Sequence, residues 1–169
     1  LALVRIAQEA SAPSRLIEAV VAVNDARKAG MSARVIAACG GDVRGKAIAV
    51  LGLTFKPNTD DMRDSPSLPI VARLVEDGAK VRAYDPQGME AARPLLPGGT
   101  EYAASAEAAL DGADAAVVVT EWGEFRALAP AALRRLMAGD VVVDLRNVFD
   151  AAAMQAAGFR YHGIGTTPR

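Results

Sequence analysis

The sequence contains a single cysteine, Cys39, among its 169 residues. One cysteine cannot form a disulfide within the chain, and it excludes a structural zinc site built from several cysteines. We therefore expect a reducing, cytoplasmic environment. An excess of charge of one sign is also lacking, since 19 Lys and Arg balance 20 Asp and Glu. A net charge of -1 provides no overall field to attract nucleic acid or an anionic membrane, so local charges must hold any phosphate ligand.

Long hydrophobic runs are absent as well. The longest, residues 47–53 and 115–119, fall far short of the roughly 20 residues that span a bilayer, and we expect no signal peptide before them. The chain begins at Leu1 without a methionine and enters a helical pattern at once. We therefore expect it to be a piece of a longer protein with no membrane partner.

Two helices are predicted in the first 40 residues. Leu1, Val4 and Ala7 recur at helical spacing, and a break at residues 11–13 separates them from a second, longer helix that runs to about Ala38. One side of the longer helix carries Ile17, Val20, Val21, Asn24, Met31 and Val35. Its length requires a partner to pack against, which predicts a homodimer. Asn24 interrupts the apolar side and is predicted to be a buried polar residue that sets the register of a helix–helix contact.

From Gly40 onward, short apolar runs alternate with helical stretches. The runs predict strands at residues 47–53, 80–84, 115–120 and 141–145, and the stretches predict helices at 67–76, 105–110 and 130–137. This alternation is typical of βαβ units. The predicted fold class is α/β: a Rossmann-like three-layer domain with a mostly parallel sheet, preceded by a long α-helical segment. We place the helical segment at residues 1–40 and the α/β domain at 41–169.

Two glycine patterns point away from familiar phosphate loops. Residues 40–47 match the spacing of a P-loop until Ala47 replaces the metal-binding Ser or Thr, but they follow a helix and open a strand, which is the reverse of P-loop order. Gly40 and Gly41 are more simply the stop of the long helix. The dinucleotide-binding fingerprint is also absent, because no second or third glycine follows Gly52.

A long charged loop, residues 55–66, follows the first predicted strand. Open α/β sheets bind ligands at the carboxyl ends of their strands, so Lys56 and Arg63 bring two cations to a binding edge. The start of the next helix, near Ser65 and Ser67, adds backbone N–H groups that favour an anion such as a pyrophosphate. The alternative is a solvated loop whose three aspartates pair with its own cations.

Several segments together resemble the C-terminal domain of the UDP-glucose and GDP-mannose dehydrogenase family. The resemblance rests on residues 50–66 (VLGLTFKPNTDDMRDSP) and 78–86 (GAKVRAYDP). Residues 120–122 (TEW), 144–147 (DLRN) and 158–165 (GFRYHGIG) agree in order and spacing. Residues 1–3 are similar to the segment that follows the family's Cys-x-Pro-Lys-Asp nucleophile motif.

The resemblance implies an NAD-dependent dehydrogenase, most like those that use UDP-glucose. Such an enzyme oxidises the C6 alcohol of the sugar to a carboxylate with two NAD molecules through a cysteine thioester, and is a cytoplasmic homodimer. It implies substrate contacts for Phe55, Lys56 and Arg146, and an NAD phosphate contact for Arg63. The nucleophile, the NAD loop and the catalytic lysine and asparagine are missing here, so no catalytic residue is expected and the chain alone is predicted to be inactive.

Three further residues have structural interpretations. Cys39 lies in no nucleophile motif and is interpreted as a helix-end thiol. His162 has no second ligand residue nearby in sequence, so no metal site is expected. Asp85 ends the second predicted strand, where a dinucleotide fold places its ribose acid, but a structural role is favoured without the glycine fingerprint.

The alternatives are a GDP-mannose or UDP-N-acetylmannosamine dehydrogenase, or a nucleotide-binding or dimerisation module without catalysis. An upstream GxGxxG and Cys-x-Pro-Lys-Asp run would establish the enzyme, whereas a start codon near Leu1 would exclude it.

Overall fold

The structure, a computed structural model, describes residues 2–165. Helices α1 (Ala2–Glu9) and α2 (Arg15–Ala38) come first, joined by a turn in which Ser11 adopts φ 55°. Both predicted helices are confirmed within this range, and Leu1 lies outside the described residues.

The rest of the described chain alternates strands and helices. In chain order the elements are β1 (Ala47–Leu51), α3 (Ser67–Glu76), β2 (Lys80–Tyr84), α4 (Met89–Ala92), β3 (Glu101–Tyr102), α5 (Ala106–Leu110), β4 (Ala115–Val118), α6 (Gly123–Arg126), α7 (Pro130–Leu136), β5 (Val141–Asp144), α8 (Ala151–Ala156) and β6 (Arg160–Gly163). The strands form one six-stranded sheet in the order β3-β2-β1-β4-β5-β6, and every described pairing is parallel. The predicted α/β, Rossmann-like, mostly parallel fold is confirmed.

The sheet is covered on both faces, as predicted for a three-layer domain. Alternate side chains of β1 show the division: Ile48 and Val50 pack under α2 and α3, whereas Ala49 and Leu51 pack toward α5 to α8. All four are fully buried. A strand enclosed in this way has no polar face, which is why the central strands are continuous apolar runs.

Long helix α2 is only partly covered by the α/β domain. Its buried residues, Ser32, Val35 and Ala38, all lie in the last two turns. Farther toward the N-terminus, Leu16, Val20 and Val23 are 77%, 52% and 66% exposed. The apolar side predicted from the sequence is therefore buried only at its C-terminal end within the chain.

The strand boundaries differ from the prediction at three carboxyl ends. β1, β4 and β5 end at Leu51, Val118 and Asp144, one or two residues before the predicted ends. After β1 the cause is Gly52, which has φ 90° and would place a Cβ 2.5 Å from the Cβ of Thr120. This backbone turn is accessible to glycine and ends the strand.

Candidate functional site

A cleft of about 570 Å³ lies between α2 and the carboxyl ends of β1, β4 and β5. Its walls include residues from the loops after β1 and β5 and from the middle of α2. The lining residues are Val21, Asn24, Asp25, Arg27, Lys28, Met31, Phe55, Lys56, Asp64, Pro66, Val119, Leu145, Arg146 and Ile164. Such a location is where open α/β sheets bind ligands.

The loop after β1 brings Phe55 and Lys56 into the cleft. Its two sides are held together by the N–H of Phe55, which donates to the carbonyl of Asp61 at 2.9 Å. The Phe55 ring is 49% exposed, so its face is open to a ligand. Lys56 is exposed and forms no ion pair with another described residue. The loop therefore offers an aromatic surface beside an unpaired cation.

Asp85, the residue after β2, holds the start of this loop through hydrogen bonds. Its carboxylate is buried, and Oδ2 accepts hydrogen bonds from the N–H groups of Leu53 and Thr54 at 2.7 and 3.1 Å. The indole N–H of Trp122 donates to the same oxygen at 3.1 Å, and the N–H of Gly88 donates to Oδ1 at 2.7 Å. These contacts join the ends of β1, β2 and β4, so the structural role predicted for Asp85 is confirmed.

The far end of the loop is fixed where α3 begins. The hydroxyls of Ser65 and Ser67 both donate to the carbonyl of Leu53. Their hydroxyls are therefore engaged inside the protein. Asp64 and Pro66 line the cleft just before this helix begins.

Arg146 follows β5 and is held from both its backbone and its side chain. Asp144, fully buried, accepts from the N–H of Arg146 at 3.0 Å and from the Tyr161 hydroxyl at 2.9 Å. The guanidinium forms a two-point ion pair with Glu121, in which Nη2 lies 2.7 Å from Oε1 and Nε donates to Oε2. Hydrogen bonding to Arg146 lowers the pKa of Glu121, and the same contact raises the pKa of Arg146.

The structure brings together three of the four residues assigned to ligand contacts. Phe55, Lys56 and Arg146 line one cleft although Arg146 is far from the other two in sequence. Arg63 does not line it. Its side chain is 89% exposed and pairs with Asp61 through Nη2 at 2.8 Å. Hydrogen bonding to Arg63 lowers the pKa of Asp61 to about 2. One of the loop aspartates thus pairs with a loop cation, as the solvated-loop alternative proposed.

The contribution of α2 to the cleft was not predicted. Asn24, Arg27 and Lys28 form one wall, and Lys28 pairs with Asp25 at 3.1 Å. In the single chain Asn24 is exposed, so its burial in a helix–helix contact with a partner stays a prediction. Its place on the cleft wall gives this polar residue a second possible role, as a contact for a ligand. The available signal in the sequence was a polar residue, Asn24, on the apolar side of the helix.

The remaining candidates behave as structural residues. Cys39 caps the end of α2 and is buried, which raises the pKa of its thiol. Gly40 and Gly41 have φ near 90° after the helix, which confirms them as its stop. His162 lies in β6, where burial and then Arg160 lower its pKa. Among residues 2–165, no group of three or more His, Cys, Asp or Glu side chains is arranged to hold a metal.

Comparisons with known proteins agree along the chain. A family model described as the UDP binding domain of the UDP-glucose/GDP-mannose dehydrogenase family matches residues 49–151. The UDP-glucose 6-dehydrogenase of Rhizobium meliloti (strain 1021) is 53% identical over 169 residues, which are 98% of this chain and 38% of that protein. UDP-glucose 6-dehydrogenase TuaD of Bacillus subtilis (strain 168) is 39% identical over 97% of this chain and 35% of that protein.

Solved structures give the same result. A UDP-glucose dehydrogenase from Pyrobaculum islandicum superposes with a TM-score of 0.77 at 30% identity, over 98% of this chain and 36% of that one. A UDP-D-ManNAc dehydrogenase from Pyrococcus horikoshii gives 0.62 at 31% identity, over 83% and 30%. The chain thus spans little more than a third of the length of these relatives. It belongs to the UDP-glucose/GDP-mannose dehydrogenase family, and residues 49–151 match the family's UDP binding domain.

Proposed function

We propose that the chain binds the UDP-sugar in an NAD-dependent UDP-glucose 6-dehydrogenase, which converts UDP-glucose, two NAD+ and water to UDP-glucuronate and two NADH with release of the balancing protons. The observation that carries the proposal is the convergence of Phe55, Lys56 and Arg146 on one cleft. The names of the Rhizobium and Bacillus relatives support UDP-glucose as the sugar nucleotide. We propose residues 41–169 as the UDP-sugar-binding domain and residues 1–40 as the end of a central dimerisation region.

The side chains of the cleft suit the parts of a nucleotide sugar. Lys56, unpaired, provides a cation for the diphosphate, and the half-exposed ring of Phe55 provides an apolar surface. Arg146 retains N–H donors beyond the two that bind Glu121, and a guanidinium can donate to phosphate or hydroxyl oxygens. These three residues are the proposed substrate contacts.

The described residues do not fit a complete NAD site. The loop after β1 carries no glycine fingerprint. The Asp85 carboxylate is buried and accepts six hydrogen bonds from described residues, so it cannot bind a ribose. Arg63 lies outside the cleft lining, and its exposed guanidinium retains N–H donors beyond the two that bind Asp61, so it can donate to a phosphate at the rim. We therefore propose Arg63 as an NAD phosphate contact, and no catalytic step is assigned to this chain, which we propose is inactive alone.

We also propose that the protein is a cytoplasmic homodimer joined through α2. The support is the exposed apolar row of Leu16, Val20 and Val23, together with Leu3 and Ile6 of α1. Exposed apolar patches of this kind mark association surfaces. Among the described residues, no helix is long and apolar enough to cross a membrane.

Calorimetric titration tests the proposal and separates it from its alternatives. UDP-glucose, UDP-N-acetylmannosamine and GDP-mannose are titrated into the chain and into the longest natural form of the protein that contains it. We expect saturable binding with UDP-glucose the tightest ligand, and oxidation of UDP-glucose by the longer form. Preference for either other sugar would favour the corresponding dehydrogenase. Binding without oxidation by the longer form would favour a non-catalytic module, and absence of nucleotide binding would contradict the proposal.

A further inference from the structure

Arg146 lines the proposed ligand cleft. Glu121, which is not among the lining residues, occupies two of the five N–H donors of Arg146. Its side chain is 25% exposed and that of Arg146 is 38% exposed, so the pair is partly shielded from solvent. A guanidinium in a two-point pair with a carboxylate presents little net charge to a third group. Arg146 therefore meets a ligand as a hydrogen-bond donor more than as a cation.

Glu121 is held in this place by its neighbours in the chain. The Thr120 hydroxyl donates to the carbonyl of Thr54 at 2.6 Å, and the Trp122 indole donates to the buried carboxylate of Asp85 at 3.1 Å. Both flanking residues are buried. The carboxylate of Glu121 is thus positioned by the same interactions that shape the loop carrying Lys56.

The two cations on the edge of the sheet consequently differ. Lys56 has no ion-pair partner among the described residues, whereas Arg146 is neutralised by Glu121. We propose that Glu121 is a positioning residue: by pairing with Arg146, it makes the cleft prefer a nucleoside diphosphate esterified to a sugar over the free nucleoside diphosphate. The inference rests on the proposed function, because it assumes that the cleft binds UDP-sugars.

The physical reason is the charge of the ligand. The terminal phosphate of free UDP has a second ionisation near pH 6, so this phosphate carries about 1.5 to 2 negative charges at pH 7. A sugar esterified to the same phosphate blocks that ionisation and leaves it with about one charge. An unpaired guanidinium in the cleft would attract the more anionic UDP more strongly. The Debye length of about 8 Å at physiological ionic strength means that this extra attraction extends across a small cleft. Pairing Arg146 with Glu121 removes most of it.

The test compares the affinities of UDP and UDP-glucose in Glu121→Gln. The amide keeps the shape and one acceptor oxygen but removes the charge, so Arg146 becomes an unpaired cation. We expect the ratio of UDP affinity to UDP-glucose affinity to rise by about threefold to tenfold. This range lies between the effect of an exposed ion pair and that of a charged hydrogen bond. Because the gain is electrostatic, it should shrink as salt rises to about 1 M, where the Debye length is about 3 Å.

Asp140→Asn is the matched control. Asp140 forms the same two-point pair with Arg160, at 3.0 Å to Nε and 2.8 Å to Nη2, but at the amino end of β5. The Asp140→Asn variant should leave the ratio of UDP affinity to UDP-glucose affinity unchanged. Thermal unfolding confirms that both variants are folded, and binding of UDP-glucose is measured first on the unchanged chain.

The outcomes separate this inference from the proposed function. Failure of the unchanged chain to bind either nucleotide would contradict the proposed function itself. A second outcome is that the unchanged chain binds both nucleotides and Glu121→Gln has the same ratio of affinities. This result would contradict only the role of Glu121, whether both affinities stay the same or fall in parallel. A ratio that shifts toward UDP and returns at high salt supports it.

Discussion

The α/β sheet and the two N-terminal helices differ in how their apolar side chains are buried. In the sheet, every residue of β4 and β5 is buried, and helices cover both faces. In α1 no residue is buried, and in α2 burial begins only at Ser32. The sheet domain buries the apolar side chains of its central strands within the chain, whereas the apolar side chains of α1 and of the N-terminal part of α2 stay exposed in the single chain.

This difference explains the character of the cleft between them. The sheet side is fixed by buried carboxylates, Asp85 and Asp144, each of which accepts several backbone N–H hydrogen bonds. The α2 side is a helix wall whose position depends on packing at its C-terminal end. The fixed edge of the sheet therefore positions Lys56 and Arg146, and α2 forms the wall of the cleft next to them.

The largest effect is expected from breaking the rigid side. Asp85→Ala leaves the buried N–H groups of Leu53, Thr54 and Gly88 without their acceptor, so we expect the free energy of unfolding to fall by about 3 to 5 kcal/mol. Urea denaturation measures it. Asp42→Ala is the control, since Asp42 is exposed and accepts a single hydrogen bond, from Arg44, at 2.9 Å. Equal losses in both variants would contradict the role of Asp85.

The next largest effect concerns the two cations at the sheet edge. Hydrogen bonds to a charged phosphate contribute about 1.5 to 3 kcal/mol each, whether the donor is the unpaired Lys56 or Arg146, which is already paired with Glu121. Lys56→Ala or Arg146→Ala should therefore weaken UDP-glucose binding by about ten- to a hundredfold. Calorimetry measures the affinity. Lys80→Ala and Arg160→Ala, at the amino ends of β2 and β6, are controls expected to have no effect. Unchanged UDP-glucose affinity in both Lys56→Ala and Arg146→Ala would contradict the assignment of this edge as the nucleotide-sugar site.

Arg63 should behave differently from the edge cations because it does not line the cleft and its exposed side chain pairs with Asp61. Arg63→Ala in the longest natural form should raise the Michaelis constant for NAD while UDP affinity stays within about twofold of the unchanged protein. Steady-state kinetics with varied NAD, together with UDP calorimetry, test both halves. A loss of UDP affinity with an unchanged constant for NAD would reverse the assignment.

Changes on the exposed helix face should affect association and leave the sheet intact. Leu16→Glu with Val23→Glu should convert a dimer to a monomer in light scattering, with the unfolding of the sheet domain changed by about 1 kcal/mol or less. Ala29→Glu, exposed on another side of α2, should remain dimeric. A strictly monomeric unchanged protein at high concentration would contradict the proposed interface.

The smallest effect is expected at Cys39. Because this buried thiol caps α2 beside two glycines, Cys39→Ser in the longest natural form should leave turnover close to that of the unchanged enzyme. The hydroxyl replaces an apolar contact, so stability should fall by about 1 kcal/mol. A loss of turnover by several orders of magnitude in a folded protein would mean that the nucleophile has been misplaced.

Much of the sheet could be predicted because its central strands are buried on both faces. The apolar runs of β1, β4 and β5 reflect that burial directly. β3 and β6 were not predicted. β3 has two residues, and β6 reads RYHG with only alternate positions buried, because both lie at edges of the sheet. Their strand character depends on pairing with β2 and β5, which the local sequence does not encode.

The edge of the site was predictable and its wall was not. Lys56 and Arg146 follow parallel strands, and the carboxyl ends of such strands meet at one edge of the sheet whatever the loops do. The α2 wall depends on the direction in which the helix leaves the domain, which only tertiary packing determines. The pair between Glu121 and Arg146 likewise joins two loops whose side-chain directions do not follow from the sequence.

The most direct test of the central claim is nuclear magnetic resonance of the chain during titration with UDP. We expect the amides of Phe55, Lys56 and Arg146 and those near Asn24 on α2 to shift together and to saturate with one dissociation constant. The amides of Arg44 and Glu76, in a second cavity away from this cleft, should stay unchanged. Shifts confined to that second cavity, or changes at the sheet edge without any on α2, would contradict a nucleotide-sugar site between the helix and the sheet.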